Sequence, residues 1–227
     1  MRRSWLAAAA VVALGALAAP AGAAPNLVVN GSFGNGLAGW TIGGTDAQGY
    51  PPVAIFYNQA AAYPIGAFGE AVPPNNAPTN SPDPVGDRAA YFVTDFATNQ
   101  SLSQIVGPLA AGTYQIGFSA YAPANGYANF YDATFSGVVA NVQLASYAVS
   151  SGPVTTWQTF AGAVNLAGAN YLVEFVFNTN GFPAKDVVID QVYIIEGNPP
   201  VGVPEPGTLA LLGLGLAGLG LARRRRR

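Results

Sequence analysis

From residue 27 to residue 195 the chain is built of short runs in which apolar and polar residues alternate, separated by Gly, Pro and Asn. Alternation with a period of two places successive side chains on opposite faces of a strand, and no stretch of this region carries the 3.6-residue spacing of a long helix. The pattern predicts strands at 27–30, 39–42, 53–57, 89–93, 101–106, 113–121, 138–147, 156–161, 169–177 and 187–195. In 113–121 one parity reads Tyr114, Ile116, Phe118 and Ala120, and the other Gln115, Gly117 and Ser119. That predicts a strand buried on one face and wet on the other. Tyr171, Val173, Phe175 and Phe177 form a second core stripe with Glu174 on the opposite face. Many short strands at regular spacing predict an all-β sandwich. Between Tyr57 and Arg88 the pattern lapses into Ala, Pro and Asn, and a stretch of that length reads as a functional or mobile loop.

Both ends break the alternation. Arg2 and Arg3 precede an apolar run over 5–17, followed by Ala21-Gly22-Ala23. This is the form of a signal peptide, with cleavage expected after Ala23, because a cut one residue later would place Pro25 just after the scissile bond. A retained N-terminal anchor is the competing reading. The apolar run is short for that, and no stop-transfer flank follows it. At the other end, Val203, Pro204, Glu205, Pro206 and Gly207 lead into an uncharged run over 208–222, closed by Arg223, Arg224, Arg225, Arg226 and Arg227. Arginine is costly to move across a bilayer, so this is a stop-transfer pattern with the arginines cytoplasmic. At about 1.5 Å per residue the run spans roughly 22 Å, short of a hydrocarbon core of about 30 Å. The order of Pro-Glu-Pro, short Gly/Leu-rich helix and arginine cluster resembles the PEP-CTERM sorting signal of exopolysaccharide-producing Gram-negative bacteria. The resemblance implies a processing partner of the exosortase type and a transient inner-membrane anchor that is cut away. The organisation expected is a signal peptide at 1–23, a β-sandwich at 24–196, a linker at 197–202 and a sorting signal at 203–227.

The body carries a second resemblance. Asn26-Leu27-Val28-Val29-Asn30-Gly31-Ser32-Phe33 with Gly39-Trp40-Thr41, and the run from Lys185 through Ile189-Asp190-Gln191-Val192 to Ile194, are similar to the opening and closing of galactose-binding-like jelly-roll domains. Many carbohydrate-binding modules share that fold. Ser101–Val106, Ala111–Phe118 and Trp157–Phe160 fall between them in the expected order. The resemblance implies a jelly roll whose first and last strands lie close together. It also raises a structural calcium ion, held in related domains by a Glu just after the opening motif and by an Asp of the closing strand. Here the first position is Gly34, and the second is Asp190. On its strand Asp190 shares the parity of Val188, Val192 and Ile194 and is expected to face the core, either as a calcium ligand or as an acceptor for backbone N–H groups of the turn at 30–33.

Charge narrows the partners. The chain has a formal charge of −2, but between the two end segments only Arg88 and Lys185 face ten acids, a balance of −8. Such a body repels phosphate backbones, so nucleic acid is not expected as a partner. The chain has no His and no Cys, which excludes Ser-His-Asp and Cys-His catalysis, imidazole metal sites and thiol redox chemistry. A glycosidase would need two carboxyl groups about 5 to 10 Å apart, with Asp83, Asp87, Asp95 and Asp132 to draw on. Solvated acids on a secreted surface are the plainer reading, and no enzyme is expected.

Ligand contact points elsewhere. Sugar rings pack their C–H faces on aromatic rings, and Tyr121, Tyr127, Phe130, Tyr131 and Asp132 cluster among Asn125, Gly126 and Asn129. A second aromatic group is Tyr50, Phe56, Tyr57, Tyr63 and Phe68, while Trp40 and Trp157 are expected in the core. Asn30-Gly31-Ser32 and Asn99-Gln100-Ser101 match the N-glycosylation sequon by coincidence in an Asn- and Ser-rich chain. The sequence therefore describes an exported surface or matrix protein that binds polysaccharide or is purely structural. A carboxylate-based hydrolase is the remaining alternative.

Overall fold

The computed structural model describes residues 24–59, 72–73, 86–124, 132–181 and 186–197. Ten strands run through them: β1 (Thr41–Asp46), β2 (Val53–Phe56), β3 (Arg88–Phe92), β4 (Ala97–Leu109), β5 (Gly112–Tyr121), β6 (Thr134–Val139), β7 (Val142–Ala148), β8 (Gln158–Leu166), β9 (Ala169–Asn178) and β10 (Val187–Glu196). They form two five-stranded antiparallel sheets, ordered β1-β4-β9-β6-β7 and β2-β3-β10-β5-β8. Apart from the same-sheet neighbours β2-β3 and β6-β7, successive strands cross between the sheets, giving a jelly-roll sandwich. Among the described residues no helix is long and apolar enough to cross a membrane. The proposed signal peptide, sorting motif, membrane run and arginine tail lie outside the described residues.

The main core fills the space between the sheets, where Phe92, Phe118, Phe135, Phe175 and Phe177 are fully buried. Most of their rings meet at tilted and edge-to-face angles, such as Phe118 and Phe175 at 4.9 Å and 70°, while Phe135 and Phe175 are near-parallel at 6.3 Å. These are the arrangements favoured by the ring quadrupoles. Trp40 closes one end against Phe33 at 5.4 Å, as its expected core role requires. The opening segment meets the last strand, although it forms only an isolated bridge there and β1 itself lies in the other sheet. Asn26 bridges to Ile195, donates from Nδ2 to the Val192 carbonyl at 2.8 Å and accepts the Ile194 N–H at 3.1 Å. Gly31 is fixed by the same contact, since a Cβ there would fall on the Val192 carbonyl oxygen.

Three expectations need correction. Residues 27–30 are turns and not a strand, because the Asn30 amide organises a loop: it accepts the Asn35 N–H and donates to the Gly36 and Ala38 carbonyls. The single strand expected at 138–147 is a hairpin, β6 turning into β7 at Ala140 and Asn141, both with positive φ, 52° and 63°. The turn lacks the usual glycine because the Ala140 methyl is buried in the core and Asn141 Oδ1 accepts the Leu172 N–H at 2.8 Å.

The third correction concerns β5. Its supposedly wet face is covered, with Gln115, Ser119 and Tyr121 all buried. A second apolar cluster lies on the outer side of the β2-β3-β10-β5-β8 sheet, made of Ile55, Ala89, Tyr91, Val93, Tyr121 and Val188. Val72, from the non-periodic stretch after Tyr57, packs into this cluster and is fully buried. The Val72 N–H donates to the Gln59 carbonyl, and its own carbonyl accepts the Asn58 N–H at 2.6 Å.

Candidate functional site

The outer face of this second sheet gathers the polar groups with the least access to water. On β10, Val188 and Asp190 point to this side. A register shift between Asp190 and Tyr193, with Gln191 at φ 51°, then resets the alternation. Val192 and Ile194 therefore enter the inter-sheet core, whereas Asp190 does not share their face as its parity had suggested. Asp190 is 0% exposed. Its Oδ2 accepts the Tyr57 hydroxyl, and its Oδ1 accepts the Gln191 N–H at 2.6 Å. Four residues earlier, buried Asp186 accepts the Tyr91 hydroxyl at 2.9 Å. Tyr57 thus ties the end of β2 to the central strand, and Trp157 ties the far side by donating from Nε1 to the Pro73 carbonyl at 3.0 Å. Trp157 is half-buried and lies outside the inter-sheet core where it was expected.

This geometry bears on calcium. The ion takes six to eight oxygens, usually several of them carboxylate. Gly34 brings no side-chain oxygen and looks onto open space, and both Asp190 oxygens already hold protein donors. Among the described residues no three acids gather in one place. The described residues do not fit a calcium ion, and Asp190 acts as an internal acceptor.

Two members of the aromatic candidate cluster are described. Tyr121 is 6% exposed, with its ring 5.4 Å from Trp157, so it builds the second cluster and offers no open face of its own. Asp132 accepts the Ser150 N–H at 3.2 Å and the Ser150 hydroxyl, holding the short 3-10 helix Val149–Ser151 at the start of β6. Tyr127, Phe130 and Tyr131 lie outside the described residues, as do Tyr63 and Phe68. Of the second aromatic group, Tyr50 and Tyr57 are half-buried at the rim of the outer cluster, and Phe56 is exposed beneath the Arg88 guanidinium, 4.0 Å from its ring centre.

Among the described residues, the acids considered for glycoside hydrolysis have separate partners. Asp87 and Asp95 lie beyond opposite ends of the five-residue strand β3, which is itself about 16 Å long. Asp87 is paired loosely with Arg88 at 3.8 Å, Asp132 is committed to Ser150, and Asp83 lies outside the described residues. The pairs Tyr57–Asp190 and Tyr91–Asp186 were missed as pairs. The signal present in the sequence was the i, i+2, i+4 series Asp186, Val188, Asp190, which marks one strand face bearing two acids around an apolar residue.

The body is similar to TmCBM61, solved in complex with beta-1,4-galactotriose, at 16% identity over 76% of this chain and 99% of that one, with a TM-score of 0.45. It is similar to a family 16 carbohydrate-binding module at 18% identity over 75% of this chain and 100% of that one, with a TM-score of 0.42. A third similar structure is the C-terminal family 22 carbohydrate-binding module of Xyn10B from Clostridium thermocellum, at 13% identity over 78% of this chain and 99% of that one, with a TM-score of 0.43. No curated protein matches the chain in sequence. Residues 202–227 match the PEP-CTERM protein-sorting motif.

Proposed function

We propose that this is an exported, non-catalytic protein of the cell surface or extracellular matrix. In this reading a signal peptide at 1–23 is cleaved, and the tail at 203–227 is removed by an exosortase-type enzyme after a transient stay in the inner membrane. The observation that carries the proposal is the match of 202–227 to the sorting motif, set behind the last strand of the sandwich. β10, its last strand, ends at Glu196 paired with Tyr114, and 197–202 serves as linker. Mass spectrometry of the exported protein tests this. A mature N-terminus at residue 24 and loss of Arg223 through Arg227 are expected, and recovery of those arginines in exported material overturns it.

Within that role we assign weak binding of a neutral polysaccharide, such as an exopolysaccharide, to the segment 121–132 and the adjoining outer face of the β2-β3-β10-β5-β8 sheet. Tyr50, Tyr57 and Trp157 are half-buried around that face, and amphipathic rings in such positions suit sugar C–H surfaces. A body with ten acids and two bases favours neutral glycans over acidic ones. Stacking at about 0.5–1.5 kcal/mol per ring gives affinities in the micromolar to millimolar range. The exported protein should be retained on a neutral polysaccharide column, and Tyr127→Ala with Tyr131→Ala should abolish retention without moving the melting midpoint. Unchanged retention in a folded double variant places the surface elsewhere.

A further inference from the structure

The sandwich has two flanks, and they differ in chemistry. One is formed by β1 and β2. There β2 is only four residues long, and β1 is interrupted by a register shift between Gly43 and Thr45 and ends on Asp46. A short strand, a bulge and a terminal charge are the usual devices that stop a free edge from pairing with another chain. The other flank is formed by β7 and β8, which lie side by side. Tyr147 stacks on Phe160 at 5.9 Å and 18°, and Leu144 sits beside Gly162. β8 is a nine-residue edge strand, Gln158–Leu166, with no proline and no charge, and β7 has neither over seven residues. The whole span from Ala133 through Val173 contains no Asp, Glu, Lys or Arg.

We infer that this flank is a self-association edge, on which a second copy of the chain pairs β8 to β8 in antiparallel fashion. Charge selects the occupant. Two bodies that each carry a balance of −8 repel one another through most of their surfaces, and this uncharged flank is where they meet without opposing acids. Shape agrees, since β8 presents small exposed side chains at Ala161 and Ala163 on either side of Gly162. A twofold axis at Gly162 sets Ala161 of one copy opposite Ala163 of the other. Because β7 lies beside β8 on the same flank, that axis also brings the two β7 edges together, and both sheets continue across the interface. The contact is isologous and closes as a dimer.

The test uses exported protein purified from cells expressing the full chain, followed by sedimentation from about 1 µM to about 200 µM. The apparent mass should double across the range, and added salt should favour the dimer by screening repulsion between the acidic bodies. Ala161→Lys with Ala163→Lys sets like charges opposite each other and should hold the protein monomeric. Thr41→Lys with Thr45→Lys, which adds the same charge to exposed positions of β1, should leave dimerisation in place. A readout independent of any variant is amide exchange, with β8 amides protected about tenfold more at high than at low concentration and β1 amides unchanged. A wild-type protein that stays monomeric, protection that falls on β1 instead, or a folded Ala161/Ala163 variant that still dimerises overturns the inference.

Discussion

The outer faces of the two sheets start from similar alternating sequences and end in different states. On the β1-β4-β9-β6-β7 sheet the outward positions are Ser101, Ser103 and Ile105 of β4, Leu172, Glu174 and Val176 of β9, and Thr134, Ser136 and Val138 of β6. Ile105 is 64% exposed and Glu174 is half-exposed, as expected for the solvated side of an antiparallel sheet. On the other sheet the same kind of position is occupied by Tyr91, Val188, Asp190, Ser119 and Tyr121, all buried. The difference is made largely by chain that carries no periodic signal: Val72 and Pro73, with Tyr57 at the end of the preceding strand pattern, hold the outer cluster from both sides. A carboxylate on the open face is a solubility group, whereas a carboxylate on the covered face is part of the fold.

Exchanging acids for alanine is the strongest way to break that comparison. Asp190→Ala leaves the Tyr57 hydroxyl and the Gln191 N–H without their acceptor, at a cost of about 2–4 kcal/mol. Glu174→Ala on the open face should stay within about 0.5 kcal/mol. Denaturant unfolding of both variants measures the difference, and equal small losses would show that Asp190 is reached by water. Bulk comes next. Gly117 lies on β5 beneath Tyr193, where a Cβ would approach the Tyr193 hydroxyl to 2.5 Å. Gly117→Val should therefore cost about 1–3 kcal/mol by overpacking the covered face, while Ser136→Val on the open face is close to neutral.

The smallest effect separates both outer faces from the layer between the sheets. Burial raises the Tyr147 hydroxyl above its ordinary value, and burial followed by the nearby Glu196 carboxylate and Tyr171 does the same for Tyr114. In each case the fold holds the neutral form. Their contribution is therefore complete below the unfolded tyrosine value of about 10 and drains away as pH rises past it toward the folded values. Stability measured from pH 8 to pH 11 should fall at the alkaline end, and Tyr147→Phe should fall less steeply than wild type. An identical slope would assign the alkaline loss to other groups.

Much of the sandwich was legible because alternation is a local signal. Strands near β2 to β5 and β8 to β10 were placed to within a few residues, and the inward stripe Tyr171, Val173, Phe175, Phe177 is buried as its parity predicts. What could not be read depends on contacts between distant residues or on single backbone angles. The turn at Ala140 and Asn141 carries no glycine, so β6 and β7 read as one strand. The bulge at Gln191 inverts the parity argument for everything after Asp190, and a bulge leaves no compositional mark when a long side chain occupies it. The candidate site was legible in residue type but not in placement. Tyr121 and Asp132 are both held by neighbours, Trp157 and Ser150, that lie far from them in sequence or across a loop.

The position of β10 has a mechanical consequence. It is the middle strand of its sheet, bonded to β3 on one side and β5 on the other, and the Asn26 side chain clasps its final residues. A body held at a surface through the residue that follows this strand takes any drag load along the axis of β10. The bonds to both neighbours then bear the load together in shear and cannot be peeled one at a time. Resistance to such a pull is set by the rate of unfolding and not by equilibrium stability. In a body held that way, the pole carrying Tyr121 and Asp132, about 25 Å away along the strand from Glu196, would be the one farther from the attachment.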